Sequence, residues 1–185
     1  MKRSVVIYPH PCLRKKCVEI SNIDDSVRTL AQDMIETMYA YDGIGLAASQ
    51  VGVIKQMFVM RDLPTVMDSE RKIVECSKEQ GAYVFINPVM TFFSQERAST
   101  QEGCLSLPDI VGMVERSQKI RMKFQDFESQ IHEWEFQGYS AICVQHEVDH
   151  LNGKIFIDYL GNVRKAMISE KMRKYKKKSL PHKFV

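Results

Sequence analysis

Hydrophobic residues recur at intervals of three and four along residues 24–41, and this pattern predicts the first helix of the chain. The spacing places them on one side of a helix, and three residues at its start favour helix N-caps. We therefore predict an amphipathic helix whose apolar face, methionines included, fills the core. The apolar positions are Val27, Leu30, Ala31, Met34, Ile35 and Met38, and the candidate caps are Asp24, Asp25 and Ser26.

Shorter apolar or alternating runs predict β-strands. Residues 119–127 and 131–136 alternate between apolar and polar positions, and the polar residues 128–130 between them favour a hairpin turn. Asn87-Pro88 interrupts one further run and predicts a bend there. The remaining predicted strands are residues 57–60, 83–86 and 89–93, with an extended segment at 5–8 that Pro9 and Pro11 end.

Residues 61–82 lack a periodic pattern and contain Pro64 and several charged residues. They predict an irregular, mobile surface excursion. Helices and mostly antiparallel strands together indicate an α+β fold, with the strands packed around a central helix.

That central helix is predicted at the motif QHEVDHLNG, residues 145–153. His146 and His150 lie four residues apart, so on a helix their side chains are only about 40° apart in azimuth. Both can bind one divalent metal. Glu147 lies at the flank of the same face, where a carboxylate can act as a general base beside the metal. Asn152-Gly153 is typical of a helix C-terminus.

A catalytic metal site of this kind needs a third protein ligand. Cys104, in EGCLSLP (residues 102–108), follows a glycine that allows close backbone approach. Cys143 is the rival, but it lies one turn before His146 on the same helix and would stack in line with the histidines. We therefore favour Cys104, although a free cysteine more often fills core space.

GIGLAASQVG, residues 43–52, is rich in glycine and alanine and carries one versatile polar side chain, Gln50. The segment is either a simple turn or a strand that lines a cleft. No Lys-Ser/Thr pair follows the glycines, which disfavours a phosphate loop, and the preceding helix disfavours a dinucleotide fingerprint.

The composition is typical of a globular protein: 44% of the 185 residues are hydrophobic and 26% are charged. This length predicts a single catalytic domain over residues 1–185. No apolar run is long enough for a membrane span, and the five cysteines form no CxxC pair. We expect a cytoplasmic protein without disulfides, and neither a membrane nor DNA as a partner.

The net charge of +3 is unevenly distributed. Residues 162–185 hold nine Lys or Arg and one acid, giving +8, while the preceding 17 basic and 22 acidic residues give −5. The tail predicts a weakly amphipathic basic helix. Its expected apolar face consists of Val163, Ala166, Met167, Met172 and Tyr175.

Three segments, GIGLAASQVG, EGCLSLP and QHEVDHLNG, resemble in sequence, order and separation the signature motifs of peptide deformylases, and the likeness covers nearly the whole chain. The resemblance implies an enzyme that removes the formyl group from N-formylmethionine at the start of nascent bacterial or organellar polypeptides. It implies one divalent metal ion, usually Fe2+, with Zn2+, Ni2+ or Co2+ as alternatives. It also implies the ribosome as a partner of the basic C-terminal helix.

The same resemblance assigns roles to individual residues. Cys104, His146 and His150 would be the metal ligands, Glu147 the catalytic acid and base, and Gln50 with the Leu105 N–H would bind the formyl oxygen. The methionine pocket would be formed by Ile44, Gly45, Tyr139, Ile142 and Cys143. Glu102, Arg116 and Asp149 would support the ligands.

The sequence departs from the family pattern at Ser49, Tyr139 and Val111. Many members have Pro or Thr, a smaller aliphatic residue, and in some cases an arginine at these three positions. The departures concern pocket shape and peptide contacts rather than the reaction.

Two other classes of function remain open at this point. A zinc peptidase also uses HExxH, but the position of a third histidine is Phe156, so a downstream acid, Glu170, would have to serve as ligand. The other class is a ribosome- or RNA-binding module with a structural metal. A closed structural site would use four protein ligands and would not need Glu147 as a base.

Overall fold

The computed structural model describes residues 1–62, 66–68, 78–79 and 81–179, with residues 66–68, 78–79 and 176–179 described by backbone alone. Its three α-helices are α1 Asp25–Ala40, α2 Tyr139–Leu151 and α3 Asn162–Ser179. Short 3-10 helices lie at Pro11–Arg14, Ala48–Val51 and Phe156–Tyr159.

The predicted first and central helices are confirmed. Asp24 caps α1 by accepting hydrogen bonds from the backbone N–H groups of Ser26 at 2.9 Å and Val27 at 3.3 Å. Helix α2 ends at Leu151, directly before the predicted stop Asn152-Gly153, and Gly153 has a φ of +71°. Only glycine adopts this left-handed conformation without strain, and a β-carbon there would also lie 2.6 Å from the Arg14 carbonyl oxygen.

The described strands form one large antiparallel sheet and a separate hairpin. Within the large sheet the order is β1-β2-β5-β8-β9-β3, with β4 also paired to β5, and β6 pairs with β7. The strands are β1 Gly45–Ala47, β2 Met57–Arg61, β3 Val66–Asp68, β4 Lys78–Glu79, β5 Ala82–Phe93, β6 Arg97–Cys104, β7 Leu107–Ser117, β8 Lys119–Gln125 and β9 Ile131–Gln137.

The structure corrects the predicted interruption at Asn87-Pro88. One strand, β5, runs through both residues, and the pairing with β8 shifts register between Ile86 and Val89. Asn87 has a φ of +50°, and its side chain bonds both the N–H and the carbonyl oxygen of Ile20. These bonds hold a bulge in place, so proline's missing N–H does not end the strand.

The structure also tests the predicted β8–β9 hairpin, the extended segment at residues 5–8 and the irregular excursion at residues 61–82. The β8–β9 hairpin is confirmed. Residues 5–8 form no regular strand, and Tyr8 lies in a turn. The Val6 and Tyr8 N–H groups donate to the Gln50 and Ser106 carbonyl oxygens. In the predicted irregular excursion, Arg61 ends β2, Ala82 begins β5, and β3 and β4 are short strands. The predicted excursion also includes residues 63–65, 69–77 and 80, which lie outside the described residues.

The β6–β7 hairpin was not predicted from the sequence. Its inward face is formed by Glu102 on β6 and Gly112, Val114 and Arg116 on β7. Two of these four buried residues are charged, so the sequence does not show the alternation of apolar and polar residues that predicts a half-buried strand. This is why the hairpin was missed. Gly112 is required by close packing, since a β-carbon there would lie 3.0 Å from Leu160 and 3.2 Å from Phe156.

Apolar residues from α1, the large sheet and α2 form the core. The predicted inward residues of the β8–β9 hairpin are all buried: Ile120, Met122, Phe124, Trp134 and Phe136. Helix α2 packs against β1, β2, β7 and β9, so it lies among the strands as expected. The predicted α+β class is confirmed.

The basic C-terminal helix exists, but its predicted apolar face is only partly correct. Met172 is buried as predicted, whereas Val163, Ala166, Met167 and Tyr175 are exposed, and Ile168, which was not predicted, is buried. Tertiary packing against the hairpin and the 3-10 helix at Phe156–Tyr159 selects the buried face. No helix within the described ranges has the length and apolar character that crossing a bilayer requires.

Candidate active site

Two elements bring the predicted metal ligands together. Helix α2 carries His146 and His150 on one face, with ring centroids 5.0 Å apart. Strand β6 ends at Cys104, where the tight β6–β7 turn directs the thiol toward the helix. The ligand atoms of Cys104, His146 and His150 all lie within 4.8 Å of one another. One thiolate and two imidazoles are a donor set that fits a divalent transition metal.

Each histidine presents its Nε2 atom to this site. The Nδ1 atom of His146 lies 2.8 Å from a Glu102 carboxylate oxygen, which leaves Nε2 as the atom that faces the cysteine. The Nε2 atom of His150 lies 3.2 Å from the Cys104 sulfur. Burial lowers the pKa of His150 well below its ordinary value, so its imidazole is neutral and able to bind a metal.

A buried ion-pair network supports His146. Arg116 donates from Nε and Nη2 to the two oxygens of Glu102, at 2.8 and 3.0 Å, and from Nη1 to Asp149. Burial disfavours the Glu102 carboxylate, but the bonds from His146 and Arg116 lower its pKa to about 2. Glu102 is therefore an anion that orients the imidazole, and Arg116 and Asp149 do not form an ordinary surface ion pair.

Glu147 lies next to His146 on α2, lines the cleft beside the candidate ligands and is buried, with 3% of its surface exposed. Burial raises the pKa of its carboxyl to about 7, with the nearby His146 opposing the shift. Its Oε2 atom is buried and has no hydrogen-bond partner within the described structure. A carboxylate oxygen held in this way is available to accept a proton from a bound molecule.

Gly45 makes this position of Glu147 possible. A β-carbon at Gly45 would lie 2.4 Å from the Glu147 Oε1 atom and 2.8 Å from two carbons of the same side chain. The strand β1 therefore approaches the helix so closely that any side chain at this point would displace the carboxylate. The sequence showed a small residue here, but the contact itself depends on the tertiary fold.

Gln50 is 2% exposed and has a fixed orientation. Its Oε1 atom accepts the Ala47 N–H at 2.8 Å, so the Nε2 donor points to the Cys104 sulfur at 3.4 Å and to the Ser106 hydroxyl at 3.3 Å. Leu105 lies in the turn between these last two residues. The glycine-rich segment is thus a strand and a 3-10 helix that line the site, which was one of the two predicted alternatives.

A cleft of about 770 Å³ opens beside the ligands. It is bordered by all five residues predicted for the methionine pocket: Ile44, Gly45, Tyr139, Ile142 and Cys143. Val111 also lines it. The third departure, Ser49, is buried behind the site, where its hydroxyl donates to the His150 carbonyl oxygen at 3.3 Å.

The rival ligand Cys143 does not belong to the ligand cluster found among the described residues. It is buried in the cleft wall, and burial raises its thiol pKa well above the ordinary value. A thiol that stays protonated is a poor ligand and a suitable apolar wall.

The peptidase alternative also loses its candidate ligands. Glu170 lies on the exposed side of α3 and pairs with Arg173 and Lys174. Phe156 occupies the position of a third histidine and stacks beside His146, with ring centroids 6.3 Å apart. Neither residue can complete the site in the way a zinc peptidase would need.

Sequence reasoning missed several residues around the site. Ser106 is buried and contacts Gln50. Val5, Ile7 and Tyr175 line the cleft from distant parts of the chain. Of these residues, only Ser106 could have been found from the sequence, because it lies in the motif EGCLSLP two residues after the candidate ligand Cys104.

Comparisons with known proteins agree with the resemblance. Residues 2–166 match the family model described as polypeptide deformylase. A peptide deformylase of Novosphingobium aromaticivorans is 40% identical over 185 residues, covering 95% of this chain and 97% of that protein. One from Alkalilimnicola ehrlichii is 43% identical over 174 residues, covering 92% and 88%.

A solved structure shares the fold. The crystal structure of peptide deformylase from Ehrlichia chaffeensis superposes with a TM-score of 0.83 at 37% identity, and the match covers 97% of this chain and 99% of that one.

Proposed function

The chain belongs to the peptide deformylase family, and from this premise we propose which of its residues carry the reaction. The enzyme removes the formyl group from the N-terminal formylmethionine of nascent polypeptides and releases formate. The cluster of Cys104, His146 and His150 beside the unpartnered Oε2 atom of Glu147 is the observation that carries the assignment of roles.

Cys104, His146 and His150 hold one divalent metal ion in this proposal. The metal supplies the Lewis acidity that makes water a nucleophile at neutral pH. The native ion is proposed to be Fe2+, and the Cys-His-His set also accepts Zn2+, Ni2+ or Co2+. Glu102 fixes the His146 ring, and Arg116 with Asp149 holds Glu102 in place.

Glu147 moves the proton. Its carboxylate accepts a proton from the attacking water as the oxygen bonds to the formyl carbon, and it then delivers this proton to the amine nitrogen as the C–N bond breaks. The raised pKa suits both steps, because the group must take up and release a proton near neutral pH. The products are formate and a free methionine α-amino group.

Gln50 and Leu105 stabilise the tetrahedral oxyanion. The Ala47 N–H holds the Gln50 oxygen, so the amide Nε2 is preorganised as a donor toward the site. The Leu105 backbone N–H is the second donor. Loss of one such donor costs about 3–4 kcal/mol of transition-state stabilisation in other enzymes.

The methionine side chain occupies the apolar part of the cleft in this proposal. Tyr139, Ile142 and Cys143 form the wall on α2, and Ile44 with Gly45 forms the opposite wall on and beside β1. An unbranched thioether packs well against such a mixed aromatic and aliphatic surface.

Formate release from formyl-Met-Ala-Ser under anaerobic conditions tests the function, with casein hydrolysis as the control. Formate without casein cleavage is the expected result. Casein cleavage without formate would instead indicate a peptidase.

Metal identity can be tested through sensitivity to oxygen. We expect the iron-loaded enzyme to lose activity in air faster than nickel-loaded protein, because ferrous iron and its cysteine thiolate are oxidisable. The half-lives of both forms in air-saturated buffer measure this. Equal half-lives would contradict iron as the working metal.

We also propose that residues 1–185 act as one catalytic domain in the cytoplasm. Helix α2 contacts strands of both the large sheet and the hairpin, so the site depends on both. The substrate, a formylated chain at the start of translation, is present where ribosomes work.

The basic helix α3 is the proposed contact with the ribosome. The preceding chain carries −5 and would be repelled by RNA, whereas residues 162–185 carry +8. Val163 and Met167 are exposed on the same helix as Lys171, Arg173 and Lys174. The side chains of Lys176, Lys177 and Lys178 and residues 180–185, which contribute to the predicted charge, lie outside the described residues.

Deleting residues after Tyr175 is expected to weaken co-sedimentation with ribosomes at low salt, because fewer cations remain to displace phosphate counterions. Deformylation of formyl-Met-Ala-Ser should stay nearly unchanged, since the proposed catalytic residues all precede Leu151. Unchanged co-sedimentation would contradict the ribosome contact and would indicate that the basic tail is an ordinary solvated surface.

A further inference from the structure

One aromatic residue outside the three motifs closes the outer end of the network behind the metal ligands. Tyr159 ends the 3-10 helix Phe156–Tyr159, which connects α2 to α3. Its hydroxyl donates to the Asp149 carboxylate, at 2.8 Å from Oδ2 and 3.0 Å from Oδ1. Its ring also lies under the Arg116 guanidinium, 4.6 Å from the centroid.

These contacts extend the ion-pair network into a continuous series of hydrogen bonds. From the site outward it runs from the His146 Nδ1 atom to Glu102, to Arg116, to Asp149 and finally to the Tyr159 hydroxyl. The side chains of Arg116 and Glu102 are 4% and 5% exposed, that of Asp149 is 15% exposed, and Tyr159 is 46% exposed. Tyr159 is therefore the link between the buried series and solvent.

A second cavity, of about 320 Å³, reaches the outer end of the network from another face of α2. Arg116, Asp149 and Tyr159 all border it. Water that entered there could compete for the Asp149 carboxylate. The Tyr159 hydroxyl occupies both carboxylate oxygens instead, and it remains protonated because burial and the Asp149 charge raise its pKa to about 12.

We propose that Tyr159 is a positioning residue for the metal site. It fixes the Asp149 carboxylate by hydrogen bonds and the Arg116 guanidinium by its ring, and through them the Glu102 carboxylate that orients His146. Tyr159 is not one of the candidate ligands and does not line the cleft, so its proposed effect reaches the site through this series. The inference rests on the metal site proposed above.

The test compares Tyr159→Phe with a matched control, Tyr39→Phe. Tyr39 makes the same two kinds of contact, since its hydroxyl donates to the Gly81 carbonyl oxygen at 2.9 Å and the Arg61 guanidinium lies 4.9 Å from its ring. It is 38% exposed and does not border the cleft. Each variant loses one hydroxyl group and keeps the aromatic ring, so a general effect of removing a tyrosine hydroxyl on the stability of the fold should appear in both.

The measurement is the rate at which nickel-loaded enzyme loses its metal to excess chelator. Mutation of residues that support metal ligands commonly weakens metal binding 10- to 100-fold, and Tyr159 lies farther out, so we expect Tyr159→Phe to lose nickel about 3- to 10-fold faster than wild type. Tyr39→Phe should match wild type. An unchanged rate in Tyr159→Phe, or equal acceleration in both variants, would overturn the proposal.

A double mutant tests whether the effect passes through Glu102. In a Glu102→Gln background the carboxylate that joins Arg116 to His146 is already lost. Adding Tyr159→Phe to that background should therefore change the nickel-loss rate by less than about two-fold. The full single-mutant effect in that background would contradict the proposed route. If the wild-type enzyme failed to retain one nickel per chain, the metal site itself would be refuted. This outcome is distinguishable from failure of the proposal for Tyr159, in which wild type retains nickel and the variants do not differ.

Discussion

Replacing Glu147 with alanine is expected to lower kcat/KM for formyl-Met-Ala-Ser by roughly 10³- to 10⁴-fold while leaving one metal ion per chain. The carboxylate is the group placed to accept and return the proton, and Gln50 and Leu105 cannot perform that step. The metal should stay because Glu147 is not in the ligand cluster. Formate release and metal content of the same anaerobic preparation measure the two quantities.

A Glu147→Gln variant is the matched control for shape. Glutamine fills the space against Gly45, where even one added β-carbon would lie 2.4 Å from the carboxylate oxygen, and it cannot act as a base. Activity should therefore fall in Gln and Ala variants alike. Metal loss in both variants would show that Glu147 is a ligand or a structural residue.

Cys104→Ala is expected to lose metal and activity together. Without the thiolate, His146 and His150 are two imidazole ligands on one helix, and two ligands do not hold a divalent ion firmly in an open catalytic site. Metal content after gel filtration should fall well below one per chain, and formate release should fall with it.

Cys143→Ala provides the control for this variant because Cys143 is also a buried cysteine beside the cleft. It should retain metal and lose activity only through a looser methionine pocket, which would appear as a raised KM. If Cys143→Ala lost the metal and Cys104→Ala kept it, the ligand assignment would be reversed.

The sequence by itself determined the parts of this protein that depend on short-range periodicity. The apolar spacing over residues 24–41 predicted α1, and alternation over residues 119–136 predicted the β8–β9 hairpin, because neighbours in sequence decide which face is apolar. The spacing of His146 and His150 likewise placed two candidate ligands on one helical face without any tertiary information.

Other features depended on contacts between segments far apart in the chain. The sequence favoured Cys104 over Cys143, but the closeness of the Cys104 thiol to both histidines depends on where the β6–β7 turn lies relative to α2. Arg116 is buried because Glu102, Asp149 and Tyr159, from three separate elements, surround it. Residue patterns alone show Arg116, Glu102 and Asp149 as ordinary charged residues, and only the family resemblance indicated that they support the ligands.

Packing also decided details that local patterns predicted incorrectly. Residue spacing on α3 placed Val163, Met167 and Met172 on its apolar face, but the neighbouring elements bury only Met172 of these three and bury Ile168 as well. Asn87 continues a strand that Pro88 seemed to end, since its side chain bonds Ile20, 67 residues away. Periodicity fixes which residues share a face, and only the surrounding elements determine which face is buried.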